Sequence, residues 1–258
     1  MRLTPDMCRV YVGYSADEAM ASRVAEASLR AHATMEHGFA WQNILFRRLS
    51  RFSIHNVYTR ETERREDGRI YDVISNAPMS TDHAIARFFV PFLCDYAGWA
   101  LFTDGDVLCR RSIHDLFAGA DEHHAVQCVQ HPPLLGEGLK KDDALQLSYP
   151  RKNWSSVMLF NCGHPANRVL DLATLNQWPG RDLHAFKWLK DTEIGALDPT
   201  WNYLVNIDPP QADPAMVHYT EGIPSLPGHE TDPFAREWFG YAQQAGYDIP
   251  LDALKAVS

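Results

Sequence analysis

Apolar residues along this chain fall in short blocks, separated by polar stretches that carry Gly, Pro, Asp or Ser. Residues 8–14 (Cys-Arg-Val-Tyr-Val-Gly-Tyr) read as a first strand running into a turn. Ser15 or Asp17 then caps a helix over 18–32, with Met20, Val24, Ala27 and Leu29 on or near its inner face. A second strand is expected over 42–46. Residues 59–68 are polar and of mixed charge, the composition of an exposed loop or flap. After Ser80 or Thr81, the spacing of Ile85, Phe88, Phe89, Phe92, Leu93 and Tyr96 predicts a helix with one apolar stripe. Pro91 should bend it or loosen a turn, and Arg87 lies off the stripe, free to reach a ligand.

The run Trp99-Ala100-Leu101-Phe102-Thr103 reads as a buried central strand. A short helix is expected over 113–118, strands over 125–130 and 157–161, and helices over 165–175 and 183–189. Further apolar runs lie at 201–205 and 216–219, and 232–245 reads as a closing amphipathic helix. Strands alternating with helices in the first half argue an α/β fold with a mainly parallel sheet. At 258 residues the expected organisation is one domain. It divides into halves over 1–110 and 111–225 and a helical tail over 226–258.

Composition narrows the function classes. A net charge of −9 argues against a broad nucleic-acid-binding face, while a bound cation would still let an acidic protein hold a phosphorylated ligand. The five cysteines (Cys8, Cys94, Cys109, Cys128 and Cys162) are widely spaced without a C-x-x-C pair, and read as buried free thiols instead of a zinc site. The start is charged, without a signal-peptide pattern, and the apolar region 88–102 is broken by Pro91, Asp95 and Gly98, so no transmembrane segment is expected. The cytoplasm is the expected location.

The chemistry concentrates behind the central strand. Asp104-Gly105-Asp106 places two carboxylates one residue apart at the C-terminal end of a buried strand, where open α/β sheets bind ligands. Gly105 permits the tight turn, and the two acids can share one hard divalent cation. His218, ending the run Ala215-Met216-Val217, is the best third ligand; His123-His124 and His131 are alternatives. An imidazole beside two carboxylates suits Mn²⁺ better than Ca²⁺. Arg151, Lys152, Asn153, Trp154, Ser155 and Ser156 combine cations, an amide, an indole and hydroxyls just ahead of a buried strand, a mixture suited to phosphate and sugar. Asp191-Thr192-Glu193 follows a helix and reads, by spacing alone, as a loop.

Together these residues resemble the GT-A-fold glycosyltransferases, specifically the retaining enzymes of glycosyltransferase family 8 and their bacterial relatives. Asp104-Gly105-Asp106 stands as the D-x-D motif, and Thr81-Asp82-His83-Ala84-Ile85-Ala86-Arg87-Phe88 resembles the segment before it. Val157-Met158-Leu159-Phe160-Asn161 is similar to the family's apolar strand ending in Asn, Asp191-Thr192-Glu193 to its acidic segment, and His218-Tyr219-Thr220-Glu221-Gly222 to its C-terminal His segment. The resemblance runs from the first strand to about Gly222. It implies a metal-dependent transfer of a hexose from a nucleotide-sugar, UDP-linked in this family, to a carbohydrate or other acceptor, with retention, the nucleotide being held by 1–110 and the sugar and acceptor by 111–225. It implies Mn²⁺ or Mg²⁺ on Asp104, Asp106 and His218. Donor contacts would come from Gly13, Tyr14, Ser15, Arg87, Thr103, Asp104, Gly105 and Lys152. Sugar or acceptor contacts would come from Asn153, Trp154, Ser155 and Ser156, and the catalytic carboxylates would be Asp191 and Glu193.

This chain departs from the family pattern in four places. Ser15 stands where many relatives have a base-binding Asp, and Pro224 stands near the position of a diphosphate-binding Lys. Phe89 replaces a donor-binding Lys, and Ser155-Ser156 replace Ala-Gly. Two other functions are compatible with this type of fold: a sugar nucleotidyltransferase, disfavoured because Tyr14-Ser15-Ala16-Asp17 is neither Gly-rich nor basic, and a nucleotide-sugar-binding protein without turnover.

Overall fold

A computed structural model describes residues 8–33, 44–133 and 151–249. The ends of the chain, the start of the strand expected at 42–46 and Tyr149-Pro150 lie outside the described residues. Strand β1 (Cys8–Gly13) leads through a 3₁₀ turn, Ala16–Glu18, into helix α1 (Ala19–Ala31), and β2 (Ile44–Leu49) follows. A small hairpin sheet comes next, with β3 (Thr62–Arg64), β4 (Ile70–Asp72) and β5 (Ala77–Pro78). Helix α2 (Val90–Leu93) precedes β6 (Trp99–Thr103), β7 (Val107–Cys109), α3 (Ile113–Ala118) and β8 (Val126–Cys128). After β9 (Val157–Asn161) the chain forms α4 (Leu172–Gln177), α5 (Gly180–His184), β10 (Ile194–Ala196), β11 (Tyr203–Leu204), β12 (Met216–His218) and α6 (Ala235–Gln244).

The main sheet has the order β10-β8-β9-β6-β1-β2. All its strands share one direction except β9, which runs against both neighbours. Thr103 of β6 sits beside Val12 of β1 and Val157 of β9, so the ends of β6 and β1 and the start of β9 meet at one edge. A second sheet, β11-β12-β7, pairs β12 antiparallel to β7 with His218 opposite Val107. That register brings a histidine from late in the chain beside the D-x-D turn.

Apolar side chains fill both faces of the main sheet. Tyr11, Phe88, Phe89, Phe102 and Phe160 pack on one side, and Val10, Leu101, Leu159 and Ile113 on the other. A third cluster joins α6, through Trp238 and Phe239, to Leu108, Val217 and Tyr219 of the small sheet.

Several sequence expectations change in the fold. The helix predicted after Ser80 is instead a turn, a 3₁₀ stretch (Ala86–Phe89) and the four residues of α2. Every residue from His83 to Pro91 is buried, so the segment has no solvent face for a regular amphipathic helix. Burying side chains such as Phe88 and Phe89 contributes about 1.5–3 kcal/mol each, more than the helix propensity it overrides. Pro91 sits in the first turn of α2, where its missing N–H costs little. The polar stretch 59–68 is not a free flap: Arg60 is buried, pairs with Asp72 at 2.6 Å and donates to the carbonyls of Leu175 and Trp178. Thr62–Arg64 then joins the hairpin sheet.

Candidate active site

The D-x-D turn is shaped by two glycines. A Cβ on Gly105 would lie 2.5 Å from the Gly13 carbonyl oxygen and 2.6 Å from Ser22 Oγ, so no side chain fits there. A Cβ on Gly13 would lie 2.5 Å from the His83 ring. The bare backbone at Gly13 is what lets His83 approach the carboxylate of Asp104, 3.1 Å from its Nε2. Asp104 is further fixed by its own N–H, which donates to the Ser156 carbonyl at 2.8 Å.

Asp104, Asp106 and His218 each present a ligand atom, and the three atoms lie within 4.8 Å of one another. The tautomer of His218 follows from its neighbours. Nδ2 of Asn202 donates to Asn153 O at 3.3 Å and to Ser156 Oγ at 2.9 Å, which turns Oδ1 of Asn202 toward Nδ1 of His218 at 2.9 Å. His218 Nδ1 therefore carries the proton, and the Nε2 lone pair points at Asp106 Oδ1, 3.1 Å away. That oxygen is buried and has no hydrogen-bond partner. A lone pair against a carboxylate oxygen is repulsive unless a cation or proton lies between them. The donor set, two carboxylates and an imidazole with its far nitrogen held by an amide, fits a divalent metal.

Without a metal, the electrostatics favour a proton in the gap between His218 Nε2 and Asp106. Burial works against charge on His218, but Asp106 and Asp104 outweigh it and raise its pKa. Burial would also raise Asp104; the guanidinium of Arg87 and the His83 ring hold its carboxyl well below the usual carboxylate range. Glu18, in the turn after β1, is pushed up to about 7 by desolvation and by the charges of Asp106, Asp104, Asp17 and Asp82. Five carboxylates thus crowd one another around the mouth of the triad.

Arg87, expected to be free for a ligand, is not. It is 6% exposed, lies 2.8 Å from Asp104 Oδ1 and donates to the Ser155 carbonyl at 2.8 Å. A guanidinium inside the protein needs an anion beside it, and Asp104 is that anion. Ser15 is likewise engaged, its hydroxyl accepting from the Asp82 N–H at 2.8 Å. Tyr14 is half-buried with the Arg48 guanidinium 5.9 Å from its ring centre. Thr103 is fully buried behind the turn. Lys152 is half-buried between Arg151 and Asn153, both with left-handed backbone (φ 67° and 66°), so the chain turns sharply there. Trp154 donates its indole N–H to the His131 carbonyl at 2.8 Å, and Ser156 donates to Asn153 O at 2.6 Å. Ser155 Oγ lies 2.7 Å from His184 Nδ1.

Asp191 and Glu193 precede β10. Ile194 pairs with Val126, Val126 with Phe160 and Phe160 with Ala100. This register sets the start of β10 level with the beginning of β6, four residues or about 13 Å short of Asp104 along the strand direction. Asp191 is exposed and ion-paired with Arg151, and Glu193 accepts the Lys190 N–H at 2.8 Å to cap its own turn. The helical residue that reaches the site is His184 of α5. Its pKa is depressed to about 3, by burial first and then by the Arg87 charge, so it is neutral.

Sequence spacing gave no signal for His83, Asn202, Glu18 or His184, which join the site only through register and loop packing. Among the described residues no helix is long and apolar enough to cross a membrane.

No family model matches the chain. Protein CDI of Arabidopsis thaliana is 35% identical over 243 residues, covering 92% of this chain and 86% of its own. Among solved structures, the galactosyltransferase LgtC in complex with donor and acceptor sugar analogues superposes with a TM-score of 0.53 at 16% identity, covering 96% of this chain and 99% of LgtC. The bifunctional glycosyltransferase WbbM gives 0.59 at 14% identity over 98% of this chain. The glycosyltransferase GlyE of Streptococcus pneumoniae gives 0.55 at 13% over 92%. The chain spans only 52% of the WbbM chain and 60% of GlyE. The fold is therefore the GT-A fold of glycosyltransferases, and the chain belongs to the family of Protein CDI.

Proposed function

We propose that this protein is a metal-dependent glycosyltransferase that moves a hexose from a nucleotide-sugar, UDP-linked by resemblance to family 8, to a carbohydrate or other acceptor with retention, in the cytoplasm. The observation that carries the proposal is the triad of Asp104, Asp106 and His218, with the Nε2 lone pair of His218 directed at an unpartnered carboxylate oxygen. Mn²⁺ or Mg²⁺ held by these three residues would neutralise charge developing on the departing diphosphate.

The chain's own residues have distinct parts in this reading. Arg87 and His83 keep Asp104 ionised and oriented, acting on the diphosphate end through that carboxylate instead of by direct contact. Gly13, Tyr14 and Ser15 border the nucleobase, with Ser15 fixing the backbone of Asp82. Lys152 and the sharp turn at Asn153 lead into the sugar side, where Trp154 and Ser156 line the approach. Ser155 and the neutral His184 meet the sugar in the place first expected for Asp191 and Glu193. A neutral imidazole can accept from or donate to a sugar hydroxyl without adding positive charge beside a cationic anomeric centre.

The test is titration calorimetry with Mn²⁺, UDP and both together, followed by an assay for release of UDP from UDP-hexoses. Cooperative binding of metal and diphosphate, with donor hydrolysis, supports transfer. Equal UDP affinity with and without metal rejects the metal-bridged site. Tight cooperative binding without release of UDP identifies a binding protein instead.

A further inference from the structure

Strand β2 ends the order of the six-stranded sheet, so the N–H and C=O groups on its outer side have no strand partner among the described residues. A groove of 630 Å³ follows that edge. Four consecutive residues, Phe46, Arg47, Arg48 and Leu49, line it, with Glu26 of α1 beside one face and Ile54 beside the other. Phe46 packs in the apolar cluster on the α1 side of the sheet, and Leu49 packs with Tyr11 and Ile54 on the opposite side. Successive side chains of a strand alternate between faces, so Arg48 lies with Phe46 and Arg47 with Leu49.

The charges on this edge are unbalanced. Arg47 and Arg48 are both exposed. Glu26 is shared by Arg48, at 2.7 Å, and Arg30, at 2.8 Å, so one carboxylate answers two guanidinium groups. Arg47 has no hydrogen bond or ion pair among the described residues. A chain of net charge −9 thus carries a cationic sheet edge, with one excess guanidinium on each face.

We propose that the β2 edge is a docking groove for an extended segment of another protein with the pattern apolar, acidic, acidic, apolar, which adds to the main sheet as a further strand. Main-chain hydrogen bonds to β2 would supply affinity, and the alternate side chains specificity. Residues opposite one another in neighbouring strands share a face, so each arginine meets one acid, and Phe46 and Leu49 each meet an apolar side chain. The order apolar, basic, basic, apolar along β2 reads the same in both directions, and the partner pattern therefore fits a parallel or an antiparallel strand. Four residues span about 13 Å, so the recognised core is short. A second copy of this chain is a poor occupant, because β2 against β2 sets arginine beside arginine on both faces.

The test uses the whole chain and a dye-labelled synthetic octapeptide, Ser-Thr-Val-Glu-Asp-Val-Thr-Ser, followed by fluorescence anisotropy. Saturable binding is expected, weaker by about tenfold or more for Arg47→Glu, an exposed position whose substitution leaves the core untouched. Replacing both peptide acids by Lys should reverse the preference, so that Arg47→Glu binds the basic peptide better than the parent does. One alternate set of peptide N–H groups faces β2. N-methylation of one set, but not of the other, should therefore weaken binding by about tenfold or more, which separates strand addition from attraction of charge alone. Equal affinity for the parent and Arg47→Glu overturns the proposal, as does indifference to both methylated sets. Absence of saturation up to about 1 mM peptide also overturns it and leaves the arginines as guards of a bare edge. Displacement of the peptide by UDP with Mn²⁺ places it at the D-x-D turn instead, and a parent dimer that the peptide dissociates assigns the edge to a second copy; either result rejects the groove as proposed.

Discussion

Nδ1 of His218 donates to Oδ1 of Asn202 across 2.9 Å, and this single hydrogen bond decides which nitrogen faces the two carboxylates. The strand register puts the ring beside the turn, and Asn202, by holding Nδ1, turns Nε2 toward Asp106. Its own amide is oriented by Asn153 and Ser156, so the segment ahead of β9 supports the triad from behind.

Removing that support should loosen the metal without unfolding the chain. Asn202→Ala is expected to weaken Mn²⁺ affinity by about 10–100-fold, while Asn202→Asp, which keeps an acceptor for Nδ1 but loses the donor to Asn153 O, weakens it less. Calorimetric titration of the three proteins decides it, and equal affinities would show that the tautomer is set by something other than Asn202.

Glu18 gives a pH signature. Its folded pKa of about 7 stands above the ordinary carboxylate value, so in the metal-free protein the unfolded chain releases this proton first as pH rises. Stability should therefore fall as pH increases from the ordinary Glu range toward 7. Melting curves across that range, with and without Mn²⁺, are the measurement. Glu18→Gln should flatten this part of the apo profile, and metal should do the same by screening Asp104 and Asp106.

Gly105→Ala tests the steric reading of the turn. The added methyl meets the Gly13 carbonyl, which is backbone and cannot swing aside. A loss of about 1–3 kcal/mol in urea unfolding is expected, together with weakened metal binding. An alanine variant with parental stability and affinity would mean the turn relaxes freely.

The sugar face can be assigned by kinetics. Ser155→Ala and His184→Ala should each lower kcat with UDP affinity nearly unchanged, because UDP lacks the sugar. Asp191→Asn and Glu193→Gln should leave kcat near parental, since the first is a surface ion pair and the second a turn cap. A collapse of kcat in Glu193→Gln with normal activity in His184→Ala would restore the acidic pair to the site.

Asp72 tests the anchoring of the hairpin sheet. Both side chains of the Arg60–Asp72 pair are almost fully buried, at 0% and 2% exposure. Asp72→Ala leaves a buried guanidinium without its carboxylate and should cost about 3–5 kcal/mol in chemical denaturation. A loss below about 1 kcal/mol would indicate that the Leu175 and Trp178 carbonyls suffice.

The sequence by itself determined the strands whose burial comes from uninterrupted apolar runs. Trp99–Thr103 and Val157–Asn161 appear with the expected bounds, and the D-x-D turn follows the first of them. Local composition was enough there, because five consecutive buried positions leave few alternatives to a central strand. The same holds for grouping His218 with the two aspartates, since it ends an apolar run next to a turn. Tertiary structure decided everything that depends on partners distant in the chain. Arg87 looked available because its stripe was drawn for an isolated helix, whereas burial on every side forced its charge onto Asp104. Asp191 and Glu193 resembled active-site acids in one dimension, and only the fold shows that the first pairs with Arg151 and the second caps its own turn. Asn202, His83 and His184 carry no local mark of function at all. A polar side chain acquires its role from the geometry of its partners, and those lie between 16 and 29 residues away for His218–Asn202, His83–Asp104 and Ser155–His184, beyond the reach of any periodic pattern.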